Sequence, residues 1–174
     1  MSKTACVTGH RPDRLGGYNG WRAEKLQNGI RDKLIQVIYQ ATTTGFDTFI
    51  SGGALGVDQL FAEAVLYIKE NVNSDVKLIM AIPFPSQHKA WPLHAQRRYE
   101  KLLADADEVV YCNEDPYSAW KMHKRNEWMV DHSVTVIGVW NGGKGGTYNC
   151  IEYARKMNKP TLLINPYTLI ERWV

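Results

Sequence analysis

Cysteine is scarce and scattered in this chain: three residues in 174, at Cys6, Cys112 and Cys150. None forms a CxxC or a Cys/His pair at ligand spacing, so neither a zinc site nor a disulfide framework is indicated. Thiols packed in the interior are the expectation for Cys6 and Cys112. His94, His123 and His132 also lack metal-ligand spacing with carboxylates, and neither a metal nor a cofactor is expected. Long apolar runs are missing as well. Residues 1–8 turn into a Gly/Arg/Pro loop before a signal-peptide core can form, and no run is long enough to span a bilayer. The expectation is a cytoplasmic protein with no membrane partner. No charge of one sign dominates: Lys plus Arg number 21 against 18 for Asp plus Glu, a net +3. That balance permits an anionic small ligand but supplies no basic stripe for a nucleic-acid track. No linker, repeat or charge block divides the chain, and 174 residues at 44% hydrophobic content are the size of one ordinary domain, so 1–174 reads as a single unit.

What is present is a regular alternation. Short runs rich in β-branched residues at 5–8, 48–51, 76–82, 108–111, 134–139 and 161–164 are mostly apolar on both faces, which fits buried parallel strands. Between them, 21–42 carries Leu26, Ile30, Leu34, Val37 and Ile38 at helical spacing, and 57–71 carries Leu60, Phe61, Ala64, Val65 and Ile68. Helices are also expected at 95–104, 119–132 and 147–157, the last stopped by Asn158-Lys159-Pro160. The fold predicted is an α/β, Rossmann-like three-layer sandwich with a mostly parallel sheet of about five to seven strands. Ligands gather at the carboxyl ends of such strands, so the post-strand loops are where function is sought.

Three of those loops carry chemistry. Thr8-Gly9-His10-Arg11-Pro12 places a hydroxyl, an imidazole and a guanidinium at the end of the first strand, and arginine can fork onto a phosphate or carboxylate. Ser51-Gly52-Gly53-Ala54-Leu55-Gly56-Val57-Asp58 follows a strand and opens a helix. Backbone amides at such a junction point at an anion, and glycine permits close approach. Asp58 either caps that helix or accepts from a ribose hydroxyl. In Gly142-Gly143-Lys144-Gly145-Gly146-Thr147, four glycines surround a lysine and a helix begins, a second candidate phosphate cradle. Arg125 falls on a helix face with Met122 and Met129. An arginine on such a face calls for an anionic partner, either a ligand or a carboxylate such as Asp131 or Glu152. The third loop, 83–92, offers Phe84 and Trp91 as stacking surfaces or as stiff packing. Gly9, Arg11, Gly52, Gly53, Arg125 and Gly143 are expected to line one common cleft.

Several of these stretches resemble the SLOG superfamily of Rossmann-like proteins, which includes the Lonely Guy phosphoribohydrolases, the DNA-processing protein A family and the YpsA-like proteins. Ser51–Asp58 resembles the SGxAxGID element of the DNA-processing family. Met122-His123-x-Arg125 with Met129, followed by Gly142–Thr147, is similar to the MHxRKxxM and PGGxGTxxE elements of the Lonely Guy proteins. The overall match is best to the YpsA-like group, through Thr8–Pro12, Ser51–Asp58, Ile82-Pro83-Phe84 and Gly145-Gly146-Thr147-Tyr148-Asn149. The resemblance implies self-association, a homodimer being one form, and makes Arg125 a candidate catalytic residue. At the family's catalytic glutamate, however, this chain has Cys150, and Trp140 replaces the motif's proline. Without that carboxylate the glycosidic route lacks the group it needs. Glu152 is a weaker candidate, since it lies about 200° around an ideal helix from Cys150.

Three functions remain in view. The leading one is a sensor or binder of a nucleotide or nucleotide-derived small molecule, with Arg11, Ser51, Gly52, Gly53, Lys144, Gly146 and Thr147 on phosphate and ribose and a third-loop aromatic over the base. The second is a divergent nucleotide N-glycosidic hydrolase using Arg125 with Glu152 or Asp58. The third is single-stranded DNA binding, which the modest charge weighs against.

Overall fold

Strands that are apolar on both faces are stable only between two covering layers, and that is their arrangement here. A computed structural model describes residues 2–174. Its elements run β1 (Lys3–Gly9), α1 (Trp21–Thr43), β2 (Phe46–Ser51), α2 (Val57–Asn71), β3 (Lys77–Ile82), α3 (Leu93–Asp105), β4 (Glu108–Tyr111), α4 (Ala119–Asp131), β5 (Thr135–Val139), α5 (Gly146–Lys156), β6 (Thr161–Ile164) and β7 (Glu171–Trp173), with a short 3-10 turn at Pro12–Arg14. The seven strands form one sheet in the order β4-β3-β2-β1-β5-β6-β7. Every neighbouring pair is parallel except β6 and β7.

Alternating strand side chains feed two cores. Ala5, Val7, Phe49, Met80, Ile82 and Ile137 meet Ile30, Leu34 and Ile38 of α1, Phe61 and Val65 of α2, and Tyr99 of α3 on one face. Cys6, Ile50, Ala81 and Val136 point the other way, onto Met129 and Val130 of α4 and Cys150 and Ala154 of α5. The period of two along a strand produces this division directly. The expected α/β, mostly parallel, Rossmann-like architecture is therefore the one observed.

One strand escaped the sequence reading. β7 is three residues long, Glu-Arg-Trp, and exposed at each position, so it has no buried apolar face to betray it. Its place comes instead from backbone pairing: Thr161 and Val174 exchange hydrogen bonds of 3.0 and 2.9 Å, and the turn before it closes through Asn165 N–H to the Ile170 carbonyl. Of the cysteines, Cys6 and Cys150 are buried and Cys112 is half-buried. Among the described residues, no helix is long and apolar enough to cross a membrane.

Phe61 has no exposed surface and meets Phe49 edge-on, with ring centroids 6.1 Å apart. Truncating it to alanine is expected to cost about 3–5 kcal/mol through lost burial and a residual cavity. Urea unfolding of Phe61→Ala beside the wild type checks this; a loss under about 1 kcal/mol would mean the α2 face of the core is not packed as described.

Candidate functional site

The chain winds from β1 outward to β4 and then returns to place β5 against the other side of β1. The loops leaving β1 and β5 therefore diverge, and a crevice opens between them, as at the switch point of any doubly wound sheet. A cleft of about 230 Å³ occupies this position. It is lined by the β1 loop (Thr8, Gly9, His10, Arg11, Asp13, Arg14), by Ala54 and Asp58 before and within α2, by Met122, His123, Arg125 and Asn126 of α4, and by Gly145, Gly146 and Thr147 at the start of α5.

Close backbone approach locks the first two loops together. A β-carbon at Gly9 would collide with Val57, and one at Gly56 with the His10 carbonyl; Gly56 also has φ +96°. The Val57 N–H donates to that same His10 carbonyl at 3.1 Å. The β1 and β5 loops are joined through His10, where the Asn141 backbone N–H donates to Nε2 at 3.1 Å. Asn141 Oδ1 lies 2.9 Å from the same nitrogen and accepts the Gly143 N–H at 2.9 Å. Nε2 accepts the Asn141 N–H in the tautomer protonated at Nδ1 alone, and donates to Oδ1 whenever it carries a proton itself. Burial holds the His10 pKa below its usual value, against the opposing pull of Asn141. Arg14 crosses the mouth and donates to the Lys144 carbonyl at 2.9 Å.

At the floor stand two buried, oppositely charged side chains. Arg125 is 3% exposed. Its Nη1 donates to the Gly52 carbonyl and, at 3.3 Å, to that of Ala81, and its Nε donates to Asn126 Oδ1 at 2.9 Å. Asp58, 7% exposed, accepts the Ala54 N–H on Oδ2 at 3.2 Å. Burial raises the Asp58 pKa and the nearby Arg125 guanidinium opposes the rise; burial likewise lowers that of Arg125, against Asp58. Gly52 makes room for both, since a β-carbon there would strike Arg125 Nη1 and Asp58 Oδ2. Arg125 Nη2 and Asp58 Oδ1 make no protein hydrogen bond, and neither is sealed from solvent. Both residues line the cleft. Asp131 and Glu152, offered by the sequence as partners of Arg125, are engaged elsewhere: Asp131 accepts from Tyr153, and Glu152 pairs with Arg155 at 3.8 Å.

Of the residues expected to share the cleft, Gly9, Arg11 and Arg125 line it, together with Thr8, His10, Asp58, Gly145, Gly146 and Thr147. Gly52 stands behind Arg125. Gly53, with φ +70°, faces Met80, Tyr99 and Ile82 in the core, and buried Ser51 donates to the Asp58 carbonyl at 2.6 Å. The Ser51–Asp58 segment is thus arranged as close packing that carries Asp58 to the cleft. Asp58 does not cap α2; Gly56 stands at that position without a side-chain bond. Gly142, Gly143 and Lys144 sit outside the cleft lining, Lys144 contributing its carbonyl to Arg14. Glu152 lines a separate groove of about 780 Å³ beside α5 over β6 and β7. Phe84 meets Tyr117 edge-on and Trp91 meets Tyr99, so the third-loop aromatics are packing. Arg14 and Asn126 were missed. The signal for Arg14 was Pro12, which starts a 3-10 turn, where residues three apart eclipse and bring Arg11 and Arg14 to one side.

A profile of the YpsA family, described as the YspA SLOG family, matches residues 5–169. The chain belongs to this family. Among its relatives, the SPbeta prophage-derived protein YoqJ of Bacillus subtilis is 39% identical over 73% of this chain and 81% of its own length. A UPF0398 protein of Bacillus thuringiensis is 28% identical over 88% and 83% respectively. Two solved structures share the fold at 17% identity. DNA processing protein A of Streptococcus pneumoniae has a TM-score of 0.62, covering 94% of this chain and 50% of its own; that of Helicobacter pylori, described for its single-stranded DNA binding mode, has 0.61, covering 94% and 65%. This YpsA-family chain thus spans about half to two thirds of those proteins.

Because burial lowers the His10 pKa, its contribution to stability is present above the unfolded value of 6.5 and is lost as pH falls through the lower folded value. The melting temperature is expected to fall more steeply between about pH 7.5 and about pH 5 in the wild type than in His10→Gln. Parallel slopes would show that His10 is not held in its neutral form.

Proposed function

We propose that the switch-point cleft binds the phosphate-bearing part of a nucleotide or nucleotide-derived small molecule. The observation that carries this reading is the convergence of Arg11, Arg14 and Arg125 with the amide end of α5 on one concave site. Guanidinium forks and an α-helix N-terminus each favour a phosphate oxyanion. Gly145, with φ +143°, turns the chain into that helix. The reading is a binder rather than a hydrolase, because the position where Lonely Guy enzymes carry their glutamate is the buried thiol of Cys150. Burial pushes that thiol up to about 11, leaving it uncharged at neutral pH and a poor nucleophile.

Titration calorimetry with AMP tests the proposal. Binding is expected to weaken roughly ten- to a hundred-fold in Arg125→Gln, about 1.5–3 kcal/mol for one charge-assisted contact. No binding of AMP or inorganic phosphate by the wild type would overturn it. Chromatography of the same mixture is expected to find no released adenine; release that disappears in Cys150→Ser would instead make the thiol a reacting group.

A second reading is single-stranded DNA binding, favoured by exposed rings on segments that follow the carboxyl ends of β1 and β4, the end of the sheet that bears the cleft. Trp21, with Arg22 at 5.3 Å from its centroid, opens α1, while Tyr117 and Trp120 flank the start of α4. Rings beside cations are the usual platform for unpaired bases. The Helicobacter relative of this fold is described for such binding. Fluorescence anisotropy with labelled oligothymidylate distinguishes the two: tight, salt-sensitive binding lost in Trp21→Ala/Trp120→Ala but kept in Arg125→Gln would favour the strand.

A further inference from the structure

His10 both lines the cleft and joins its two walls. Its Nε2 stands at hydrogen-bond distance from a donor, the Asn141 N–H at 3.1 Å, and from an acceptor, Asn141 Oδ1 at 2.9 Å. One nitrogen cannot satisfy both. A lone pair there meets the N–H but faces the lone pairs of Oδ1, and a proton there reverses the two. The ring's partners therefore do not fix its protonation, and the charges around it decide. Nδ1 makes no protein hydrogen bond and is not sealed from solvent, so a second proton can reach the ring.

In the protein alone those charges favour the neutral ring. Arg11 and Arg14 of the same loop and Arg125 of α4, with Lys144 on the β5 loop, outnumber Asp13 and Asp58, and His123 of α4 is a further titratable neighbour. Burial, helped by Arg14, holds the His10 pKa down against Asn141 and Asp13. A phosphate dianion in the same cleft reverses the balance, because it offsets the cations around the ring and sets an opposite charge beside the imidazolium.

Resting on the phosphate-binding reading above, we infer that an anion seated in the cleft draws a proton onto His10, so that the site takes up a proton with its ligand and holds a dianion more tightly once His10 is charged. The proton comes from solvent. The imidazolium donates Nε2–H to Asn141 Oδ1 as a charge-assisted bond and keeps Nδ1–H on its open side. Asn141 Oδ1 also accepts the Gly143 N–H at 2.9 Å, so the charged ring fastens the β1 loop to the β5 loop while the anion is held. His10 regulates the site in this account, and no direct contact with the anion is assigned to it.

Proton–carbon NMR of the His10 ring, assigned through its backbone correlations in the full chain, tests this by titration from about pH 5 to about pH 8 with and without saturating AMP. The midpoint is expected to lie below 6.5 in the protein alone and to rise by at least about one pH unit with AMP, which makes the charged form roughly ten-fold tighter for the nucleotide. Calorimetry is expected to agree: as pH falls, the AMP affinity of the wild type gains on that of His10→Gln, the titration of the phosphate itself being common to both. A midpoint that AMP leaves in place, in protein that binds it, would overturn the proton coupling and leave the cleft's phosphate reading intact. Failure of AMP and inorganic phosphate to bind would overturn both. The ring titration is read on the wild type, so it decides the matter even if His10→Gln is destabilised.

Discussion

Arg125 is the charge around which the rest of this site is organised. A guanidinium taken out of water must be met by acceptors, or the fold loses several kcal/mol. Here the acceptors are the Gly52 and Ala81 carbonyls and the Asn126 side chain, with Asp58 close enough to hold the guanidinium charged against burial. Each comes from a different part of the chain: the ends of β2 and β3, α2, and α4 itself. One buried side chain therefore ties the loops after two strands to a helix on the opposite layer. Glycine at 52 is what allows it, because any β-carbon would occupy the space of the pair.

The switch in strand order does the rest. Because β5 returns beside β1, the loops after these strands must part, and the chain bridges the gap with His10 to Asn141 and Arg14 to the Lys144 carbonyl. These bridges cross the cleft's rim while its interior stays open. Cations at the rim, the buried Asp58 and Arg125 at the floor and a helix amide end on one wall give the cleft a graded surface.

Much of the fold was legible because parallel strands buried on both faces read as unbroken apolar runs. All six parallel strands and all five long helices stand near their expected positions, and only β7, short and polar, gave no signal. The site was legible in outline. Thr8–Arg11, Asp58, Arg125 and Gly145–Thr147 do meet, since the topology brings those loops to the carboxyl ends of neighbouring strands. The glycines of the second loop were harder to interpret. Read as a phosphate cradle, they lie instead where a neighbouring backbone or the buried Arg125 and Asp58 side chains come close, and a sequence does not distinguish a glycine that admits a ligand from one that admits a neighbouring loop. Glu152 illustrates the opposite limit: its spacing was known, but the face it occupies turns toward Arg155 and away from the cleft.

The central claim is one of place, that a phosphate-bearing ligand sits between the β1 and β5 loops. Backbone amide NMR during titration with AMP tests it most directly. The account predicts that the amides of Gly9, Arg11, Gly145, Gly146 and Thr147 shift together and saturably, while Glu152, Arg155 and Arg172 around the groove over β6 and β7 stay still. Shifts confined to that outer groove, or to Trp21 and Trp120 alone, would contradict it.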